Sequence, residues 1–204
     1  MTFTFFRRSF ACLVLIFPGF ASSLNGQTID EIPLEAPAGW RTERIVLPPS
    51  FAPTMTFQGQ EQIRFAPGMF RADAEDFFSY ALVFQLKNEK LPDDKQLQQE
   101  LLVYFQGLAT AVSKGTIKTD KFTLELKPVV QPMKGNQRQQ TIGTLTWIEP
   151  FATKAAQSLR IEPHTWTHNN QHWVFLCVSP QTPEHEIWKS LHKIRDDFLK
   201  THSK

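Results

Sequence analysis

The 204 residues predict an α+β protein: an antiparallel sheet of about six to seven strands covered by two main helices, in the order βββ-α-ββββ-α. Three observations predict it. Seven short segments are apolar or alternate apolar with polar residues, as strands do. Two longer segments repeat their apolar positions every three or four residues, as helices do. Only one of those helices lies between strands, too little alternation for a parallel, doubly wound sheet.

Arg44-Ile45-Val46-Leu47 reads as a strand stopped by Pro48-Pro49, and Gln62-Ile63-Arg64-Phe65 as another stopped by Pro67-Gly68. From Phe77 to Lys87, the side chains of Phe78, Tyr80, Leu82, Phe84 and Leu86 share one face. Phe77, Ala81 and Val83 partly cover the other, the pattern of a central strand. Asp93, three residues before Gln96, marks a helix start, and Gly115 closes the segment, giving a helix over 93–114. Its apolar face is Leu97, Leu101, Tyr104, Phe105, Leu108 and Val112. Phe122-Leu124-Leu126 alternates with Thr123, Glu125 and Lys127, and a further strand spans Thr141 to Glu149. The polar stretch 132–140 between them reads as a mobile loop.

Ser158–Thr167 and His172–Ser179 read as a hairpin, because Asn169-Asn170 tolerates the positive φ of a two-residue primed turn. That turn pairs His168 with Gln171, Thr167 with His172, Trp166 with Trp173 and His164 with Phe175. The last helix starts at Thr182 as N-cap, with Pro183 at its first position. Ile187, Leu191, Ile194 and Phe198 mark its buried side, flanked by Trp188 and Leu199.

The N-terminus differs from the rest. Arg7 and Arg8 precede the apolar run Phe10 to Ala21, and Ala21-Ser22-Ser23 offers the small residues a signal peptidase needs. A run this short falls below the roughly 20 residues of a membrane-spanning helix. Residues 1–23 are therefore read as a cleavable signal peptide, 24–39 as a flexible N-terminal segment and 40–204 as a single α+β domain. The expected location is the periplasm or the extracellular space. Arg7 and Arg8 carry the whole formal charge of +2, so the mature chain is neutral and offers no basic face to nucleic acid. Nor does the mature chain contain a membrane span. Of the two cysteines only Cys177 remains after cleavage, a lone thiol for an oxidising compartment.

Candidate chemistry is sparse. His164, His168 and His172 recur every four residues, but the hairpin register puts His172 on the opposite face from the other two. His185 and His192 read as a solvated helix face, since Lys189 stands where a zincin motif needs histidine. Cys177 ends the apolar run Trp173-Val174-Phe175-Leu176 and reads as an inert core thiol. Asp73, Glu75, Asp76, Asp93 and Asp94 lack calcium-loop spacing. No nucleophile elbow, phosphate loop or dinucleotide fingerprint occurs, and no cofactor or metal is implied. Trp40, after Pro37-Ala38-Gly39, fits no periodic face, and Phe51 sits in the rigid Pro48-Pro49-Ser50-Phe51-Ala52-Pro53. These two are the candidate ligand-binding residues.

A Trp-bearing opening, strand pairs, one helix, further antiparallel strands and a last helix resemble the PsbP-like α/β/α sandwich group by element order. The closing pattern is similar too: Trp173-Val174-Phe175-Leu176, then Pro183 and the helix through Trp188, Leu191, Ile194 and Phe198. The resemblance covers roughly residues 40–200 and carries over no functional residue. Its members include photosystem accessory proteins and exported bacterial domains, which implies a non-catalytic accessory or binding role.

The functional expectation is an exported, non-catalytic binding or accessory domain whose partner is a protein or an apolar small molecule. Two alternatives stand beside it: a small hydrolase or metal-dependent enzyme using His164 and His168, and a carrier of an apolar ligand. N-terminal sequencing of the exported protein is expected to begin near Leu24, and a chain beginning at Met1 removes the leader reading.

Overall fold

Strands that are apolar on both sides need a cover on both sides, and two such strands organise this architecture. The computed structural model describes residues 32–129 and 139–202. Its elements are β1 (Arg41–Leu47), β2 (Gly59–Phe65), β3 (Tyr80–Leu86), α1 (Asp94–Val112), β4 (Thr123–Pro128), β5 (Gln139–Ile148), β6 (Ala156–His168), β7 (Gln171–Ser179) and α2 (Ile187–His202). Among the described residues the strands form one 7-stranded sheet in the order β1-β2-β3-β7-β6-β5-β4. Every neighbouring pair is antiparallel. The predicted fold class and element order are those observed.

β3 and β7 lie side by side near the middle, Leu82 opposite Leu176 and Val83 opposite Phe175. On the first face, Tyr80, Leu82, Phe84 and Leu86 join Val174, Leu176 and Val178 in a cluster closed by Leu97, Leu101, Tyr104, Phe105 and Ala109 of α1. Trp147 and Phe78 anchor this cluster, their rings 5.1 Å apart and edge to face. On the second face, Ala81, Val83, Trp173, Phe175 and Cys177 are covered by Ile187, Trp188, Leu191, Ile194, Phe198 and Leu199, all from α2. The result is a helix–sheet–helix sandwich.

Local signals set several boundaries as expected. The Asp93 carboxylate accepts from the Gln96 N–H at 2.8 Å, capping α1. Gly115, at φ +77, donates its N–H to the Thr110 carbonyl. Asn169 and Asn170 take φ values of 50 and 58 and make the primed turn. The register that follows pairs Trp166 with Trp173 and His164 with Phe175; the two indoles stack at 6.1 Å with 9° between their planes.

Three expectations need correction. The strand read from Phe77 begins only at Tyr80. Phe78 is at φ 49 and its N–H bonds to the Met69 carbonyl, so the chain turns there. Phe77 consequently enters the first-face cluster rather than the second. The last helix does not start at Thr182: residues 182–189 make successive three-residue turns, His185 N–H to Thr182 O and Trp188 N–H to His185 O, before α2 proper. The segment read as flexible over 24–39 is packed where it is described, because Ile32 and Leu34 bury against the second-face cluster, at 3% and 2% exposure. The predicted signal peptide lies outside the described residues, as does most of the 132–140 loop.

α1 approaches the 48–55 segment closely at Gly107. A Cβ there would sit 2.2 Å from the Phe51 carbonyl oxygen. Gly to Ala inside an exposed helix gains about 1 kcal/mol, whereas forcing a backbone carbonyl aside costs about 1–3 kcal/mol. Gly107→Ala is therefore expected to destabilise the fold by about 1 kcal/mol, read as a lower urea midpoint; an unchanged or higher midpoint contradicts the close contact.

Candidate functional site

The two sequence candidates do not converge. Trp40 is half-buried and packs against the second-face cluster. Phe51 is half-buried in the first-face cluster, its ring 5.0 Å from Tyr104 and edge to face. The sheet lies between these clusters, so the two residues serve separate surfaces.

The histidines do not converge either. His164 and His168 share one face of β6, but four residues along a strand separate them by about 13 Å. His164 is buried, and Arg195 Nη1 donates to its Nε2 at 3.3 Å. Burial, then the nearby Arg195 charge, pushes His164 down to about 4. His168 contacts Asn169 at the turn. Among the described residues no three His, Cys, Asp or Glu side chains are grouped to hold a metal. Cys177 is fully buried, donates to the Leu191 carbonyl at 3.5 Å, and has its thiol pushed up by burial.

A polar cluster that sequence reasoning missed lies between β6 and α2. Glu162 accepts from Arg160 Nε and from His192 Nε2, each at 2.7 Å, with Arg195 Nη1 3.8 Å away. Burial alone would raise the Glu162 carboxyl, but the hydrogen bonds from His192 and Arg160 outweigh it and hold it at about 2. His192 is thus a paired group rather than part of a solvated face. The available signal was alternation: Arg160, Glu162, His164 and Trp166 must share a face, and the apolar stripe of α2 must cover part of it.

The opposite face holds a carboxyl treated in the reverse manner. Glu61 projects from β2 into the first-face side, opposite Phe84. It is fully buried, and only its Oε1 is bonded, accepting from Tyr104 Oη at 2.9 Å. Its Oε2 has no hydrogen-bond partner among the described residues. Burial raises Glu61 to about 8, with the Tyr104 bond opposing and the Glu43 charge adding to it. The sequence reading began this strand at Gln62, one residue too late to place Glu61 in it.

The third feature is a concavity. α2 packs on β7 and β3 and stops short of β5 and β4. Over those strands the second face opens as a depression of about 270 Å³ lined by Glu125, Lys127, Pro128, Val129, Ile142 and Thr144. Glu125 pairs with Thr144 and Lys127 with Ile142 across β4–β5, while Arg160 pairs with Thr144 across β5–β6. The β5–β6 ladder is interrupted between Gln140↔His164 and Gly143↔Ile161, opposite Pro163, which has no N–H to donate. No family model, curated protein or solved structure matches this chain.

Two opposed pH dependences follow. The folded state holds a proton on Glu61 that the unfolded chain releases, so stability from this group is lost as pH rises from 4.5 to about 8. The folded state refuses a proton on His164 that the unfolded chain takes up, so its contribution is lost as pH falls from 6.5 to about 4. At about 1.4 kcal/mol per unit, Glu61→Gln is expected to raise the urea midpoint clearly at pH 8 and little at pH 5. Equal effects at both pH values contradict a neutral Glu61.

Proposed function

We propose that this protein is an exported, non-catalytic binding or accessory domain. The observation that carries the reading is the second face of β4 and β5, which no described element covers, an open depression beside the helix α2 that packs on β7 and β3. A sheet face left open next to charged side chains is a recognition surface by its chemistry. The leader sequence supports export. The order βββ-α-ββββ-α supports the likeness to the PsbP-like group, and among the described residues no helix is long and apolar enough to cross a membrane.

The ionisable groups fit binding better than catalysis. Glu162 is held as a permanent anion by its cationic neighbours, and Glu61 is sealed from solvent. The hydrolase alternative needs His164 at a working pH, and His164 is enclosed and kept neutral. For an apolar-ligand carrier the aromatic side chains would have to line an empty space. Instead they touch one another, as in the Trp166–Trp173–Phe198 and Phe78–Trp147–Phe105 groups.

Native mass spectrometry of the exported protein tests the reading. The expected result is a non-covalent adduct that Thr144→Trp, which fills the depression, abolishes without changing the circular dichroism spectrum. Turnover of ester, phosphate or peptide substrates that disappears in His164→Ala would replace binding with catalysis.

A further inference from the structure

We propose that the free edge of β1 pairs with the same edge of a second copy, antiparallel about a two-fold axis, so that Arg41 of each chain faces Glu43 of the other. β1 stands at one end of the sheet, with β2 on its inner side and no strand on its outer side among the described residues. Alternate N–H and C=O groups of β1 therefore point outward, where another strand can pair with them. Residues 41–44 are exposed, and so is Val46, at 57%. Before the strand, Gly39 at φ +87 turns the chain towards Pro67, which follows β2, and so away from this edge. The surface lies at the opposite end of the sheet from the β4–β5 depression and does not depend on it.

Two complementary charges lie on this edge. Arg41 and Glu43 share the first face, since they pair with Phe65 and Ile63 of β2. Neither side chain makes an ion pair or a hydrogen bond among the described residues. The Arg41 guanidinium carbon stands 5.0 Å from the centre of the Phe70 ring. That contact leaves its N–H groups unbonded, and at an exposed site it holds the guanidinium only weakly. Glu43 has no cation opposite it within its own sheet, because its cross-strand neighbour is Ile63.

Charge selects the register. A two-fold axis perpendicular to the sheet keeps each face on its own side, so the axis passes through a residue and its neighbours pair symmetrically about it. Centred on Thr42, it sets Arg41 opposite Glu43 on both sides and Thr42 opposite Thr42. Centred on Arg41, Glu43 or Arg44, it sets like charges face to face, which is unfavourable. Centred further along, it brings Pro48 and Pro49, which lack an N–H, into the ladder. The Thr42 register spans residues 40–44 of both copies and stops at the Gly39 turn. So short a ladder falls well below the roughly 20–30 residues a side of a standard interface. The dimer is therefore weak, with a Kd on the order of 0.1 mM.

The test is sedimentation equilibrium of the exported protein, with Arg41→Glu and Glu43→Arg made separately. Wild type is expected to dimerise, and each single variant to do so at least about tenfold more weakly, because each sets like charges opposite one another at both pairs. Mixed in equal amounts, the two variants are expected to associate as well as wild type, since every pair across the mixed dimer again joins an acid to a base. In the wild type, backbone-amide NMR shifts that change with concentration are expected at residues 40–44. A wild-type chain that stays monomeric up to about 1 mM overturns the proposal and leaves this edge to a strand of another protein. Single variants that dimerise like wild type overturn it too, as do variants with the wild-type circular dichroism spectrum that fail to associate on mixing. A dimer whose shifts lie elsewhere overturns the β1 edge as its site.

Discussion

Everything in this molecule depends on β3 and β7 being apolar on both sides. Alternate residues of a strand point to opposite faces, so Tyr80, Leu82, Phe84 and Leu86 need one cover while Ala81 and Val83 need another. One face alone would leave Trp173, Phe175 and Cys177 in water, at about 1.5–3 kcal/mol for each large apolar side chain. Two helices on opposite sides satisfy the pair. Each helix is short relative to a sheet of seven strands, so the covers are complete only near the centre.

The incompleteness is what leaves the depression open. α2 follows β7 directly, returns across β7 and β3, and spends its apolar stripe there. At its flank it meets the charged row of β6 and pairs with it through His192 and Arg195. Beyond that row nothing described covers β5 and β4, whose second-face side chains are Ile142, Thr144, Glu125 and Lys127. A depression lined by Glu125, Lys127, Ile142 and Thr144 is therefore a consequence of helix placement rather than of any contiguous motif.

Two buried carboxyls show how one chemical group is accommodated in two ways. Glu162 keeps its charge because Arg160 and His192 bond it directly. Glu61 has only the Tyr104 hydroxyl, a neutral donor, and low-dielectric surroundings then favour the protonated acid. Their effects on stability run in opposite directions with pH. The distinction lies in the partners each side chain meets and not in the residue type.

Much of the fold was legible because its signals are local. The Asp93 cap, the Asn169-Asn170 turn and the alternation of β3 each depend on a few neighbouring residues, and all three recur in the structure. The hairpin register followed from the turn alone, down to Trp166 opposite Trp173. Where a distant contact competes with local pattern, the reading failed: Phe78 turns to meet Met69, and Ile32 and Leu34 leave an apparently formless segment to fill the second face. The site was less legible still. Glu125, Lys127, Ile142 and Thr144 come from two strands and look like ordinary surface residues, and only strand pairing sets Glu125 beside Thr144 and Lys127 beside Ile142. Residue order carries periodicity and caps, since those arise within one or two turns of chain. It does not by itself say which charges become neighbours, because that depends on how far each helix reaches across the sheet.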